Sequence, residues 1–302
     1  MREDTFTLTG DQVRAWLPPR PSGGHKGTFG HVCVLAGARG FSGAARLTAE
    51  GAYRAGAGLV SVGTPQDAWP AVAAGRAELM VHPLPQTEAG SLSLAALAPA
   101  LDLAGGKDAV ALGPGLTPHP ETAGFVHGFV ESAKVPLVAD ADALNVLAPR
   151  LELVKQRASP TVLTPHPGEM ARLSGETADA IQRNHKEAER RFAHEQGCVL
   201  VLKGAGTIIA GLDGFAAYNA TGNPGMATGG TGDVLTGLIA GMLAQGLGPF
   251  EAACVGVYVH GLAGDLAAAQ RSMRGLMAGD VLDSVPEAWR QLEGESDSPA
   301  WS

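Results

Sequence analysis

The chain has little of what most directly marks a function. Among 302 residues there are three cysteines, Cys33, Cys198 and Cys254, far apart and each set among apolar neighbours. No CxxC or Cys/His spacing points to a metal site, and the odd count argues against a disulfide framework. Buried free thiols in a reducing compartment are the simplest account. Positive charge is in deficit: 22 Lys and Arg against 30 Asp and Glu give a net charge of −8. That argues against a nucleic-acid surface, yet local glycine loops and a few cations still suffice for a nucleotide. Long apolar runs are missing too. The most apolar stretch, Val234–Ala269, is broken at Gly246, Gly248, Pro249 and Glu251, short of the roughly 18 residues of a membrane span. The start, MREDTFTLTGDQVRAW, is charged and has no apolar centre, so no secretion signal is expected and the cytoplasm is the expected location.

What is plentiful is apolar side chain, 45% of the residues, and glycine, 42 of them. A large core is therefore expected and global disorder is excluded. Short apolar runs at His31–Ala36, Leu59–Gly63, Leu79–Leu84, Ala109–Leu112, Pro136–Ala139, Thr161–Thr164 and Val199–Leu202 read as buried strands. Between or before them, Thr9–Leu17, Ser42–Ala55, Leu92–Leu103, Glu121–Ser132, Ala141–Leu147 and Asp179–Gln196 read as helices. Strands apolar throughout and separated by helices predict a mostly parallel α/β sheet covered on both faces. Thr207–Ala210 and Phe215–Tyr218 flank Gly211–Gly214, which predicts an antiparallel edge hairpin. Helices over Val234–Gln245, Phe250–Ala269 and Gly279–Leu292 follow. With no linker and no internal repeat, residues 1–302 read as one domain with its core over about 24–292; 293–302 reads as a disordered polar tail.

In such sheets ligands bind beyond the carboxyl ends of the strands, and five strand-following loops stand out. They are Ala36–Ala45, Gly113–Leu116, Asp140–Asp142, Pro165–Glu169 and Lys203–Thr207. Singly, each has a structural explanation, a turn or a helix cap. A sixth segment, Gly229–Asp233, runs from glycine-rich chain into an apolar helix. Free N–H groups at a helix N-terminus, with the positive end of the macrodipole, favour a phosphate. Asp233 in the first turn would accept a hydroxyl proton as a phosphoryl group arrives, and its place at the N-terminus is expected to keep it ionised.

Together the motifs KGTFGHVCVLAG, FSGAARLTAEGAYRAGAGLV, GPGL, ADADALN, LTPHPGEM, LKGAGTII and NPGMATGGTGDVLTG resemble the NAD(P)H-hydrate dehydratase family of the ribokinase-like fold, over roughly Gly24–Ala269. The resemblance implies phosphorylation of the C6 hydroxyl of (6S)-hydrated NADH or NADPH, with loss of phosphate to give back the dihydronicotinamide. Position by position it implies Asp233 as the base, with Ala44, Gly115 and His166 beside it on the hydrated cofactor. Lys203, Gly204, Ala205, Gly206, Thr207 and Gly232 fall on the adenine nucleotide, and Gly230, Thr231 and Gly232 form the anion hole. Glu169, three residues after His166, is placed like the Glu of an Asn-x-x-Glu motif that organises Mg²⁺ through water. The resemblance further implies Mg²⁺ brought in with ADP in preference to ATP, and a homotetramer. It also implies no epimerase activity, since only about 25 residues precede the match.

Two other readings compete: a small-molecule alcohol kinase of the same fold, and a nucleotide sensor without chemistry. His25, His82, His119, His127, His185, His194 and His260 have no partner spacing and read as surface or core residues.

Overall fold

The computed structural model describes residues 5–177, 181 and 185–294. Ten strands make one sheet: β1 (Thr5–Thr7), β2 (His31–Leu35), β3 (Leu59–Pro65), β4 (Met80–Leu84), β5 (Ala109–Leu112), β6 (Leu137–Ala139), β7 (Thr161–Leu163), β8 (Val199–Leu202), β9 (Thr207–Ala210) and β10 (Ala216–Asn219). Their order is β1-β10-β9-β8-β7-β6-β5-β2-β3-β4. From β4 to β8 every pairing is parallel, and β9 alone runs antiparallel to both its neighbours. The hairpin is where the glycine turn predicts it but one strand in from the edge, because β1 pairs in parallel outside β10. Three residues, TFT, are too short to carry a periodic signal.

The helices are α1 (Gly10–Trp16), α2 (Ser42–Arg54), α3 (Trp69–Ala73), α4 (Leu97–Ala104), α5 (Pro120–Ser132), α6 (Asp142–Leu147), α7 (Glu152–Lys155), α8 (Pro167–Ser174), α9 (His185–Gln196), α10 (Thr231–Ala244), α11 (Pro249–Arg271) and α12 (Ala278–Glu293). The helix expected from Asp179 is described from His185 onward; of the tail expected over 293–302, Glu293 instead ends α12 and Gly294 caps it, and 295–302 lie outside the described residues. Alternate strand residues point to opposite faces. Val32 and Val34 of β2 join the core shared with α2, α10, α11 and α12, while Cys33 and Leu35 join the core shared with α4, α5 and α6. Both faces are therefore apolar in the central strands, which is why these lack hydrophobic–polar alternation; β4, expected to be buried, ends the sheet with Met80, His82 and Pro83 exposed. The three cysteines are free and buried; burial pushes the Cys33 and Cys198 thiols up to about 12.

Helix α11, at 23 residues, is long and apolar enough to cross a membrane by length and composition, but 61% of its apolar window is buried inside the protein. It is a core helix. Helices α2 and α10 meet backbone to backbone: a Cβ on Gly237 would lie 2.0 Å from the Thr48 carbonyl oxygen, and one on Gly51 would lie 2.6 Å from that of Val234. Arg157 ties the far end of the sheet together. Its guanidinium donates to the carbonyls of Val130, Ala133 and Val135 and to the Thr161 hydroxyl at 2.6–3.0 Å.

Candidate active site

Strand order explains how five distant loops come together. β8, β7, β6, β5 and β2 are consecutive in the sheet and parallel, so the segments after Leu202, Leu163, Ala139, Leu112 and Leu35 line one edge. Backbone bonds stitch neighbouring loops: Gly37 donates to the Pro114 carbonyl at 2.8 Å and Lys203 to that of Pro165 at 2.9 Å.

Helix α10 delivers its N-terminus to this edge. Its cap is Gly230, at φ +92°, which offers no side chain to the first N–H groups. Thr231 turns its hydroxyl back to the carbonyls of Met226 and Thr228, at 2.9 and 3.0 Å, so only its backbone faces an anion. Asp233 lies in the first turn. Here the expectation of an ionised carboxylate is corrected. Burial pushes Asp233 from the ordinary 3.8 up to about 7, Asp140 and Asp142 add to the rise, and Lys203 opposes it. Removal of water and two like charges outweigh the helix dipole and the one cation.

The ammonium of Lys203 lies 2.7 Å from Asp140 Oδ1 and 3.9 Å from Glu169 Oε2. Burial works against its charge, but Asp140 and Glu169 prevail and hold it above the usual lysine range. A Cβ on Gly232 would lie 3.3 Å from this ammonium and 3.6 Å from Asp140 Oδ2, so the nucleotide segment and the anion hole share one space. Gly204–Thr207 forms a tight turn closed by Thr207 Oγ1, which donates to the Gly204 carbonyl at 3.2 Å, with Gly204 and Ala205 exposed.

On the other flank, Gly115 sits at φ +67°, and a Cβ there would come within 2.9 Å of Ala44 Cβ and 3.1 Å of the Phe41 carbonyl oxygen. Leu47, three residues beyond Ala44, packs against Gly230, since a Cβ on that glycine would fall 2.6 Å from its Cδ1. Helix α2 thereby links the Ala44–Gly115 corner to the cradle. Phe41 stands 55% exposed beside it.

His166 caps α8. Its Nδ1 accepts from the N–H groups of Gly168 and Glu169 at 3.0 and 3.3 Å, and Glu169 Oε2 accepts from the His166 N–H at 2.8 Å. The accepting Nδ1 puts the proton on Nε2, 3.4 Å from Glu169 Oε1. Burial lifts Glu169 above the usual carboxylate range, while Lys203 pulls it down and Asp140 pushes it further up. Both Glu169 oxygens are thus engaged within the protein. No group of three or more His, Cys, Asp or Glu able to hold a metal occurs among the described residues, so the donors present suit a cation that arrives with its own oxygen ligands.

Three residues were assigned no chemical role by sequence. Asp140 reads as a helix cap, but α6 is capped at Ala141 without a side-chain bond, and the Asp140 carboxylate goes to Lys203 and, at 2.7 Å, to the Thr236 hydroxyl. Thr236, inside an apolar helix, gives no signal of its own. His260 on α11 also lies closer to the site than its spacing suggests: it bonds to the Thr231 backbone, and burial with Lys203 nearby depresses its pKa to about 4. It stays neutral.

Comparison with known proteins gives a consistent result. Residues 32–287 match the model of a family described as NAD(P)H-hydrate dehydratase. An ADP-dependent (S)-NAD(P)H-hydrate dehydratase of Bacillus subtilis is 37% identical over 94% of this chain and 98% of its own length. A bifunctional NAD(P)H-hydrate repair enzyme of Moorella thermoacetica is 49% identical over 95% of this chain but 54% of its own length, so the chain spans about half of that relative. Among solved structures, the Bacillus subtilis ADP/ATP-dependent dehydratase co-crystallised with ATP and Mg²⁺ superposes with a TM-score of 0.83 at 34% identity, covering 95% of this chain and 99% of that one. A ribokinase-like superfamily protein from Enterococcus faecalis also gives 0.83, at 28% identity over 95% of this chain and 96% of its own.

Proposed function

From the premise that this chain belongs to the NAD(P)H-hydrate dehydratase family, we propose that it uses an adenine nucleotide to repair (6S)-hydrated NADH and NADPH. The observation that carries the reading is the meeting of Asp233, the open N-terminus of α10 and the Lys203 ammonium around Gly232. Deprotonated Asp233 takes the proton of the C6 hydroxyl as the hydroxyl oxygen attacks the terminal phosphorus of the nucleotide. That phosphorus–oxygen bond breaks, giving AMP from ADP or ADP from ATP. The N–H groups of Gly230–Gly232 hold the moving group, supplying donors fixed in advance where charge develops. The ring nitrogen then pushes its lone pair toward C6, the C6–O bond breaks with loss of phosphate, and a proton leaves C5 to restore the double bond. Hydroxide leaves poorly and phosphate leaves well, so kinase-like machinery serves a dehydration.

Ala44, Gly115 and His166 take the nicotinamide end, where small residues let a dinucleotide pass close to backbone; Lys203–Thr207 and Gly232 take the nucleotide. Mg²⁺, when bound as the nucleotide's counter-ion, would neutralise charge at the phosphates, and Glu169 is the residue that would hold it, through water. ADP is the preferred donor, the chain assembles as a homotetramer, and it works in the cytoplasm without nucleic-acid or membrane partners; these parts rest on family likeness.

The test is incubation with hydrated NADH and either ADP or ATP, reading recovery of dihydronicotinamide absorbance. No recovery with any hydrate or nucleotide refutes the reading. A stable phosphorylated product without dihydronicotinamide makes the protein an alcohol kinase.

A further inference from the structure

We propose that Asp140 and Thr236 are positioning residues for phosphoryl transfer, holding the Lys203 ammonium over Gly232, where the transferred group passes. The inference deepens the phosphoryl-transfer reading above and rests on it. Lysine is a point charge on a flexible four-carbon stem, so it serves a defined reacting atom only if something fixes its end. Asp140 does this from the end of β6. Its carboxylate is 1% exposed, and a carboxylate that buried needs a partner for each oxygen. Oδ1 receives Lys203 at 2.7 Å, and Oδ2 receives the Thr236 hydroxyl at 2.7 Å.

Thr236 has one proton to give and two acceptors in reach, Asp140 Oδ2 and, at 3.1 Å, the Gly232 carbonyl. The shorter bond, to the charged oxygen, is the stronger. Thr236 lies one helical turn after Gly232, so the helix that presents the anion hole also carries the group that orients the cation's anchor. Chemically, the clamp spans three elements, β6, β8 and α10, and meets at the phosphate. Asp140, Asp142 and Lys203 face Asp233, and Glu169 and His260 face Lys203.

The experiment uses the full chain with Thr236→Val, Thr236→Ser and Asp140→Asn, measuring kcat, both KM values, the pH profile and thermal unfolding. Thr236→Val, close to isosteric, should lower kcat on the order of tenfold, the loss of one hydrogen bond to a charged group, with KM for the hydrate little changed. Thr236→Ser should recover most of that loss. Asp140→Asn should lower kcat further and move the acid limb of the profile to lower pH, because a negative charge beside Asp233 is gone. Equal loss in the Ser and Val variants, or an acid limb that does not move, overturns the proposal. Restoration of Asp140→Asn by added Mg²⁺ also overturns it, by making Asp140 a metal group.

A readout independent of turnover separates this from the dehydratase reading. Acylation of Lys203, followed by mass spectrometry at fixed pH, should be faster in Asp140→Asn than in the unaltered chain. If the unaltered chain repairs no hydrate, the function fails while faster acylation still supports the clamp. Unchanged acylation overturns the clamp whatever the activity.

Discussion

Replacing Asp233 by Asn should disable the protein and stabilise it at the same time, with a pH dependence that the site sets. Burial, Asp140 and Asp142 raise Asp233 from 3.8 to about 7 despite Lys203. In the unfolded chain the group ionises near its ordinary value, so between those two values the folded state holds the extra proton. Stability then falls as pH rises through that window. The penalty is absent below about pH 4 and complete above about pH 7. The difference in ionisation constant is roughly a thousandfold, equivalent to about 4 kcal/mol at about pH 8 and about 2 kcal/mol at about pH 5. Asparagine keeps the shape and carries no charge, so it removes that penalty. Urea unfolding of both proteins at these two pH values is the assay, and the stabilisation by Asn should be the larger at the higher pH. Activity should drop on the order of 100-fold or more, as removal of a general base does, while calorimetric nucleotide affinity stays within a few-fold. Equal stabilisation at both pH values refutes the reasoning about burial; unchanged turnover refutes the role of Asp233 as base.

The unaltered chain should show an acid limb in kcat/KM near pH 7, where an ordinary aspartate would put it about three units lower; a rate flat from about pH 5 to 8 excludes Asp233 as the titrating base. Gly115→Ala adds a Cβ to a left-handed residue, 2.9 Å from Ala44, at a strain of about 1 kcal/mol or more. It should raise KM for the hydrate and leave KM for the nucleotide alone, as initial-rate kinetics will show. Arg157→Met strips three partly buried carbonyls and Thr161 of their donor, and should lower stability by about 2–3 kcal/mol in urea melts without altering either KM. Thiol reagents should leave Cys33, Cys198 and Cys254 unmodified until the chain is unfolded, as a colorimetric thiol titration will read.

Much of this was legible because it is local. Runs such as HVCVL and AVAL, short and ended by glycine, read as buried strands, and the start of α10 was visible in the change from glycine to apolar residues at Gly229–Asp233. Long-range chemistry was not legible. The titration of Asp233 depends first on how much water the folded loops exclude, and then on Asp140, Lys203 and Asp142, distant in sequence. Asp140 is indistinguishable in sequence from a helix-capping aspartate until Lys203 and Thr236 arrive from other elements. Glu169 illustrates the converse: its spacing from His166 suggests metal chemistry, and the fold uses one oxygen, Oε2, in a capping box while Oε1 lies 3.4 Å from the His166 ring. The strand Thr5–Thr7 was missed because three residues carry no period and the strand it pairs with, β10, lies over two hundred residues downstream.

The contact between α2 and α10 sets a limit on how this protein adapts. Where side chains separate two helices, rotamer changes let the gap widen or narrow by small steps. At Gly51 and Gly237 there is no such cushion, because peptide groups rest on peptide groups. Ala44 rides on one helix and Asp233 on the other, so the span between the two halves of the site behaves as a fixed gauge. Accommodation of a larger or smaller substrate therefore falls to the loops around Phe41, Gly115 and Lys203–Thr207. A library aimed at new substrates belongs there, and substitutions along the helix seam will be read chiefly as lost folding.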